Sequence, residues 1–296
     1  MTAPNSIMDA GQMIHYHHEV ADPLYVWNIN LATYPNKHAG CHWHGEMEFI
    51  YIVSGRMNFF VSGEKMLLGQ GDSLFINAGQ LHYGYSVQDQ PCQYICLLFH
   101  PSVFSDHAAL KREYLDPLGR DEGFAFYLAL AETQTGIQIG TALQQIWRIN
   151  QTREYGCQLD ILGLLLPLLA MMIREQRKHL PAFLPNAEQL SKQKQMLIYI
   201  AEHYAQNITV DQIAFSAGLE KKKCNDLFLK YLGQSAQKYL IAYRLEASGN
   251  LLIQTEKSIA EICALSGFHH PSYYGKKFEL AYGCTPSDYR KKMKGE

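Results

Sequence analysis

The sequence predicts an α+β protein with a strand-rich front, a helical middle and an all-α end built on two helix-turn-helix units. Three observations carry this. From about Leu24 to Phe99, short runs of β-branched and aromatic residues alternate with Gly-containing turns. After His100-Pro101 the apolar period becomes helical. The C-terminal part then repeats one unit at a spacing of about fifty residues. Val210 to Leu219 (VDQIAFSAGL) lines up with Ile259 to Phe268 (IAEICALSGF), Phe228 with Phe278, Gly233 with Gly283, Ser235 with Thr285, and Tyr239 with Tyr289.

The chain has 296 residues, a length that favours two domains. Hydrophobic content is 47% and charged content 18%, enough to build a core. The net charge of −2 conceals an asymmetry. Leu190 to Glu296 holds 15 Lys+Arg against 10 Asp+Glu, and the remainder holds 11 against 18. A basic end on an acidic body points to a polyanion as the partner of that end alone. The seven cysteines are odd in number and form no CxxC pair. That argues against a disulfide framework or a zinc ribbon and fits a reducing cytoplasm. The opening MTAPNSIMDAGQ lacks a basic region followed by an apolar core, so no signal peptide is expected. The most apolar run, Ile161 to Ile173, has 13 residues and reads as too short to span a bilayer.

In the front part the candidate strands are Tyr25–Ala32, Glu46–Val53, Met57–Val61, Lys65–Leu68, Ser73–Ile76, His82–Ser86 and Gln93–Phe99. Short, closely spaced strands argue for a small sandwich or barrel. Within them lies His42-Trp43-His44-Gly45-Glu46-Met47-Glu48, spaced HxHxxxE and followed by Gly55. Further on comes Gly71, Asn77, Gly79 and His82. On one strand, positions 42, 44 and 48 share a face, and imidazole with carboxylate suits a divalent transition metal. The two runs resemble the paired motifs of the cupin superfamily, with Asn77 where proline is usual and Ser86 where asparagine is usual. The resemblance implies a cupin-like double-stranded β-barrel in which His42, His44, Glu48 and His82 converge. Two occupants stay open. One is a divalent metal held by those four residues. The other is an organic effector, with no cofactor required, in a pocket lined by some of His42, His44, Glu48, Arg56 and His82. Tyr51, Tyr83 and Tyr85 add hydroxyls and aromatic faces that suit a sugar.

The helical middle is expected to hold helices near Gly123–Glu132, Ile139–Glu154 and Leu159–Arg177. Leu162, Leu165, Leu166 and Leu169 mark a broad apolar face, and Pro167 should bend the last helix. Pairing of at least one of these helices with a second copy is the favoured reading. His179 to Ala187 (HLPAFLPNA) reads as a linker. The expected domains are thus 1–100 (barrel), 101–180 (helical dimerisation or connector segment), 181–188 (linker) and 189–296 (DNA-binding domain). In the last, the two units fall at about 209–232 and 258–282.

In the C-terminal part, Thr209 offers a cap before Val210–Ala217, and Gly218-Leu219 makes the turn. The next helix, Lys221 to Leu232, turns Cys224, Leu227, Phe228 and Tyr231 inward. Lys221, Lys222 and Lys223 stand at its leading end, the end that enters the groove in a helix-turn-helix. The doubled unit, the GCTPSDYR ending and the SGF-x9-F core resemble the AraC/XylS family of transcription regulators. This implies recognition helices in successive major grooves, bridged by a long helix at about Ala236–Leu252. The family's base-facing positions fall on Lys221, Lys222, Asn225 and Asp226 in the first unit, and on Ser272, Tyr273 and Lys276 in the second. Asp226 departs from the basic residue common there; it can accept from cytosine N4.

The reading is a cytoplasmic, dimeric transcription regulator, not an enzyme. It binds an operator in double-stranded DNA, responds to a small-molecule effector and meets RNA polymerase. A sugar effector and control of carbohydrate use are what the resemblance implies, with activator and repressor both left open. The alternative is a metal-dependent cupin enzyme, a sugar isomerase or dioxygenase, with an accessory helical domain. No membrane partner is expected. The doubled helix-turn-helix favours the regulator, since an enzyme has no need of it.

Overall fold

A computed structural model describes residues 7–9, 12–14, 24–33, 38–88, 90–104, 106–178 and 187–294. Two compact units divide between Ala187 and Glu188. The expected linker falls largely outside the described residues.

Ahead of the first unit's two sheets, β1 (Ile7–Asp9) and β2 (Gln12–Ile14) form a two-stranded ribbon. Then come β3 (Leu24–Asn30), β4 (His38–His42), β5 (Met47–Ser54), β6 (Arg56–Val61), β7 (Glu64–Gly69), β8 (Ser73–Ile76), β9 (His82–Ser86) and β10 (Gln93–Phe99). Two short helices follow, α1 (Ala108–Leu110) and α2 (Asp116–Arg120), separated by a π-helical turn at Lys111–Leu115. The unit closes with β11 (Phe126–Ala129), α3 (Gln134–Thr152) and α4 (Cys157–Lys178). One sheet has the order β11-β8-β5-β10-β3 and the other β4-β9-β6-β7, with antiparallel pairing throughout both.

The first of these sheets is covered on both faces. Alternate residues of β5 and β10 serve different cores, because side chains along a strand point to opposite faces. Phe49, Leu97 and Phe99 pack with Phe75 against Ile139, Leu143, Ile146 and Leu165 of α3 and α4. Ile50, Ile52, Cys96 and Leu98 face Met57, Phe59 and Leu68 of the second sheet. A strand buried on both faces reads as a continuous apolar run, as MEFIYIVS does.

Two expectations are corrected, and two elements were not foreseen. Gly123–Glu132, read as helix, contains β11, which pairs residue for residue with β8 (Phe126↔Ile76 to Ala129↔Ser73). A short apolar run cannot be told from a helix by periodicity, and here an open sheet edge supplied the backbone partners. The strand at His38–His42 and the turns of helix at Ala108–Arg120 were not foreseen. Pro167 lies within α4, which runs on through it. Finally, α4 has 22 residues and a window of mean hydropathy 1.7, so by length and composition it could cross a bilayer. Counting only the uninterrupted apolar run understated it. Its Ile161, Leu165, Leu168, Leu169 and Met172 are buried in the core of this unit.

The second unit is all helix: α5 (Ala187–His203), α6 (Val210–Ser216), α7 (Lys221–Leu232), α8 (Ala236–Gln254), α9 (Ile259–Leu265), α10 (Pro271–Tyr282) and α11 (Pro286–Lys294). The sequence repeat is a repeat of local chemistry. Capping boxes stand at Thr209/Gln212 before α6 and at Ser258/Glu261 before α9. Gly233 and Gly283 end α7 and α10 in the left-handed region, at φ 65° and 71°. Ser235 Oγ and Thr285 Oγ1 then accept from Lys238 N and Asp288 N to start α8 and α11. Within this second unit, one buried contact ties α8 to the end of α5. Arg244 of α8 donates from Nε to Tyr204 O and from Nη2 to Gln206 O, both at 2.7 Å, satisfying carbonyls just past α5. Gly267, in the turn of the second helix-turn-helix, lies against the same groups. A Cβ there would stand 2.3 Å from Tyr204 O and 2.8 Å from Arg244 Nε.

Candidate functional site

Two sites are legible. In the first unit, β4 ends at His42, a bend at Gly45-Glu46 follows, and β5 begins at Met47. His42, His44 and Glu48 therefore do not share one strand, as expected from their spacing. They come from the end of one sheet, the connection and the start of the other. His82 joins them because β9 pairs β4, with His42 opposite His82. All four are buried, at 2–8% exposure. One ring nitrogen of each histidine lies within 4.8 Å of the other two. Glu48 Oε2 stands 3.2 Å from His82 Nε2 and 3.7 Å from His44 Nε2. Burial opposes the charge on Glu48, but the His44 and His82 imidazoles outweigh it and hold the carboxyl well below the usual carboxylate range. Burial and then the positive potential of His82 and His44 keep His42 well below the usual histidine range.

Each of the three Nδ1 atoms is taken by a nearby backbone carbonyl: His42 by Gly40 O at 2.7 Å, His44 by Glu46 O at 3.1 Å, His82 by Gln80 O at 2.8 Å. A carbonyl only accepts, so these bonds place a hydrogen on each Nδ1 and turn each Nε2 toward the cluster. Cys96 Sγ, on β10, donates to Glu48 Oε1 at 3.0 Å, while Glu48 Oε2 and His82 Nε2 are buried without a hydrogen-bond partner. This donor set fits the divalent metal that a cupin-like barrel implies. Cys96 was missed by sequence reasoning, since only the register of β10 on β5 brings it beside Glu48. Arg56 does not join the cluster. It is exposed at the start of β6, and His82 pairs with Val61 at that strand's other end.

In the second unit the leading ends of the two recognition helices are open to solvent. Lys221, Lys222, Lys223 and Asp226 are exposed on α7, and Ser272, Tyr273 and Lys276 on α10, while Cys224, Leu227, Phe228, Tyr274 and Phe278 are buried beneath them. Glu220 is the N-cap residue of α7 without a side-chain cap bond. Lys221 Nζ pairs with Asp211 at 3.0 Å. Asn225 is used structurally: Oδ1 accepts from Ala236 N, the first residue of α8, at 3.2 Å. Lys277 sits 5.5 Å over the Tyr273 ring.

A buried polar cluster in a barrel and a paired helix-turn-helix unit with cationic, exposed recognition helices define a DNA-binding regulator with a ligand-binding domain. Residues 30–167 match the AraC-like ligand binding domain and residues 213–292 match a helix-turn-helix domain. The chain thus joins an AraC-like ligand binding domain to a helix-turn-helix domain. It is 29% identical over 281 residues to the HTH-type transcriptional regulator YdeC of Bacillus subtilis, covering 93% of this chain and 94% of that one. It is 23% identical to the melibiose operon regulatory protein of Escherichia coli, covering 84% and 83%. Among solved structures it is similar to unsaturated fatty acid bound ToxT of Vibrio cholerae, with 14% identity, coverage of 95% and 99%, and a TM-score of 0.44.

Proposed function

We propose that the protein regulates transcription by reading an operator in double-stranded DNA with both helix-turn-helix units, under control of a small effector received in the barrel. The observation that carries this is the placement of Lys221–Lys223 and of Ser272, Tyr273 and Lys276 at corresponding, exposed ends of two repeated helices. Lys222 and Lys223 meet phosphates or base edges directly. Lys221 does so by exchanging Asp211 for DNA. Asp226 accepts from cytosine N4, and Asn225 positions α7 against α8. The cluster of His42, His44, Glu48 and His82 marks the effector end. A relative named for a melibiose operon makes carbohydrate use the class of genes controlled. We place the protein in the cytoplasm as a homodimer acting with RNA polymerase. The dimer contact is the apolar face of α4, where Leu159, Gly163, Leu166 and Pro167 are exposed. Beside it lies a cleft of about 310 Å³, apolar but for Tyr114, Arg174 and Arg177.

The test is a gel-shift series on genomic fragments flanking the protein's own gene, at several salt concentrations. Neutralising phosphates releases counterions, so log K should fall with log[salt] at a slope of about −0.9 per phosphate contacted. A flat salt response would exclude DNA as the partner.

A further inference from the structure

We infer that the first unit carries a ligand site outside the barrel, in the cleft between the π-helical turn and α4, which takes an apolar organic carboxylate. The cleft's volume of about 310 Å³ stands at the small end of the range for ligand cavities, about 300–1,000 Å³. A body of on the order of ten carbons suits that size. Its floor is Phe104, Leu115 and Leu169, all buried. The π-helical turn makes one wall. Asp116 N donates to Lys111 O, an i→i+5 bond, and the wider turn brings Leu110, Tyr114 and Leu115 onto one side. Turns of this kind are frequent at functional sites.

Along α4 the lining runs from Leu166 to Arg177, with its cations at the far end. Arg174 and Arg177 stand three residues apart, so they share a face of the helix. Both are exposed, and among the described residues neither has an ion-pair partner. The neighbouring acids are engaged elsewhere: Glu175 with Lys178, and Asp121 with Gln176 at 2.7 Å. The dipole of α4 accounts for a cation in the last turn, at Arg177, but not for Arg174 before it. Guanidinium forks match a carboxylate, and an apolar cleft ending in two of them matches an acid with an apolar body. Glu113 opposes this. Beside Tyr114, it pushes that hydroxyl above the usual tyrosine range, with Arg177 acting the other way. Leu166 lines the cleft and also lies on the face proposed for the homodimer, so a ligand there bears on how two copies meet. The inference goes beyond the effector reading, because it needs neither the His42 cluster nor DNA.

Calorimetric titration of the full chain with decanoate, naphthoate and decanol tests it. Expected are one carboxylate per chain and an affinity for decanoate at least about 10-fold above decanol, falling with salt because the guanidiniums are exposed. Arg174→Gln combined with Arg177→Gln should remove that advantage and leave decanol unchanged. Glu113→Gln should tighten decanoate. Ala170→Phe, which fills the cleft, should abolish both, whereas Arg148→Gln, at an exposed residue of α3, should bind normally. No uptake of either carboxylate, or uptake indifferent to both the arginine pair and Ala170→Phe, overturns the site. So does an arginine variant that sediments as a monomer with decanoate affinity unchanged, since the cleft then belongs to the contact between copies. Should Ala170→Phe not fold, the surface arginine variant decides alone. Gel shifts on the same samples report DNA binding separately, so failure of the regulator reading is distinguishable from failure of the cleft.

Discussion

At the residue scale the two recognition helices make separable predictions. Lys276 is exposed on α10 at a position proposed to face bases, so Lys276→Ala should weaken specific binding by about 1–3 kcal/mol and relax preference at one operator position. Lys222 stands in a lysine run at the start of α7, where phosphate contact is the simpler role. Lys222→Ala should weaken binding evenly across sequences and lower the salt slope by about 1. Titrations on specific and scrambled fragments at two salt concentrations separate the cases; equal loss on both fragments for Lys276→Ala would make it a phosphate contact. The motif HxHxxxE with His82 named the buried cluster in advance, because ligand-type residues are written in the chain. Cys96 was not legible. It bonds Glu48 only through strand register, which depends on how the two faces of the sheet are buried.

At the element scale the helical end was read almost to the residue and parts of the front were not. Lys221–Leu232 is helix from end to end as expected. Helix boundaries there are set locally, by a cap before the apolar run and a glycine after it. The strand β11 had no such local mark; it exists because β8 offered it an edge. The capping boxes make the local origin testable. In Thr209→Ala the orphan N–H of Gln212 loses its acceptor, and in Ser258→Ala that of Glu261 does. Each should cost about 0.5–2 kcal/mol. The two boxes cap different helices, so the double variant should lose close to the sum. Urea melts followed by circular dichroism measure this, and a double variant no less stable than either single one would show that tertiary packing, not the caps, fixes α6 and α9.

At the scale of the molecule, the proposed homodimer needs a surface on which two copies meet. The buried stripe of α4 is spent on the core of its own unit, yet Leu159 is 74% exposed and Leu166 47%. Gly163 between them has open space around its Cα. Leucines flanking a bare glycine on one face allow close approach of a second helix, which is the contact proposed for the homodimer. Leu166→Glu would set a carboxylate into that contact while leaving the buried Leu165, Leu168 and Leu169 in place. The variant should keep its thermal stability and sediment as a monomer where the wild type sediments as a dimer. DNA binding then gives the decisive reading. Tethering two double helix-turn-helix units makes the second binding event intramolecular, at an effective concentration near millimolar for a short span. Affinity for a fragment with two half-sites should fall in Leu166→Glu by about 10²-fold or more, while affinity for one half-site should hold. A variant that remains dimeric, or that loses affinity equally on both fragments, would place the dimer contact elsewhere than on α4.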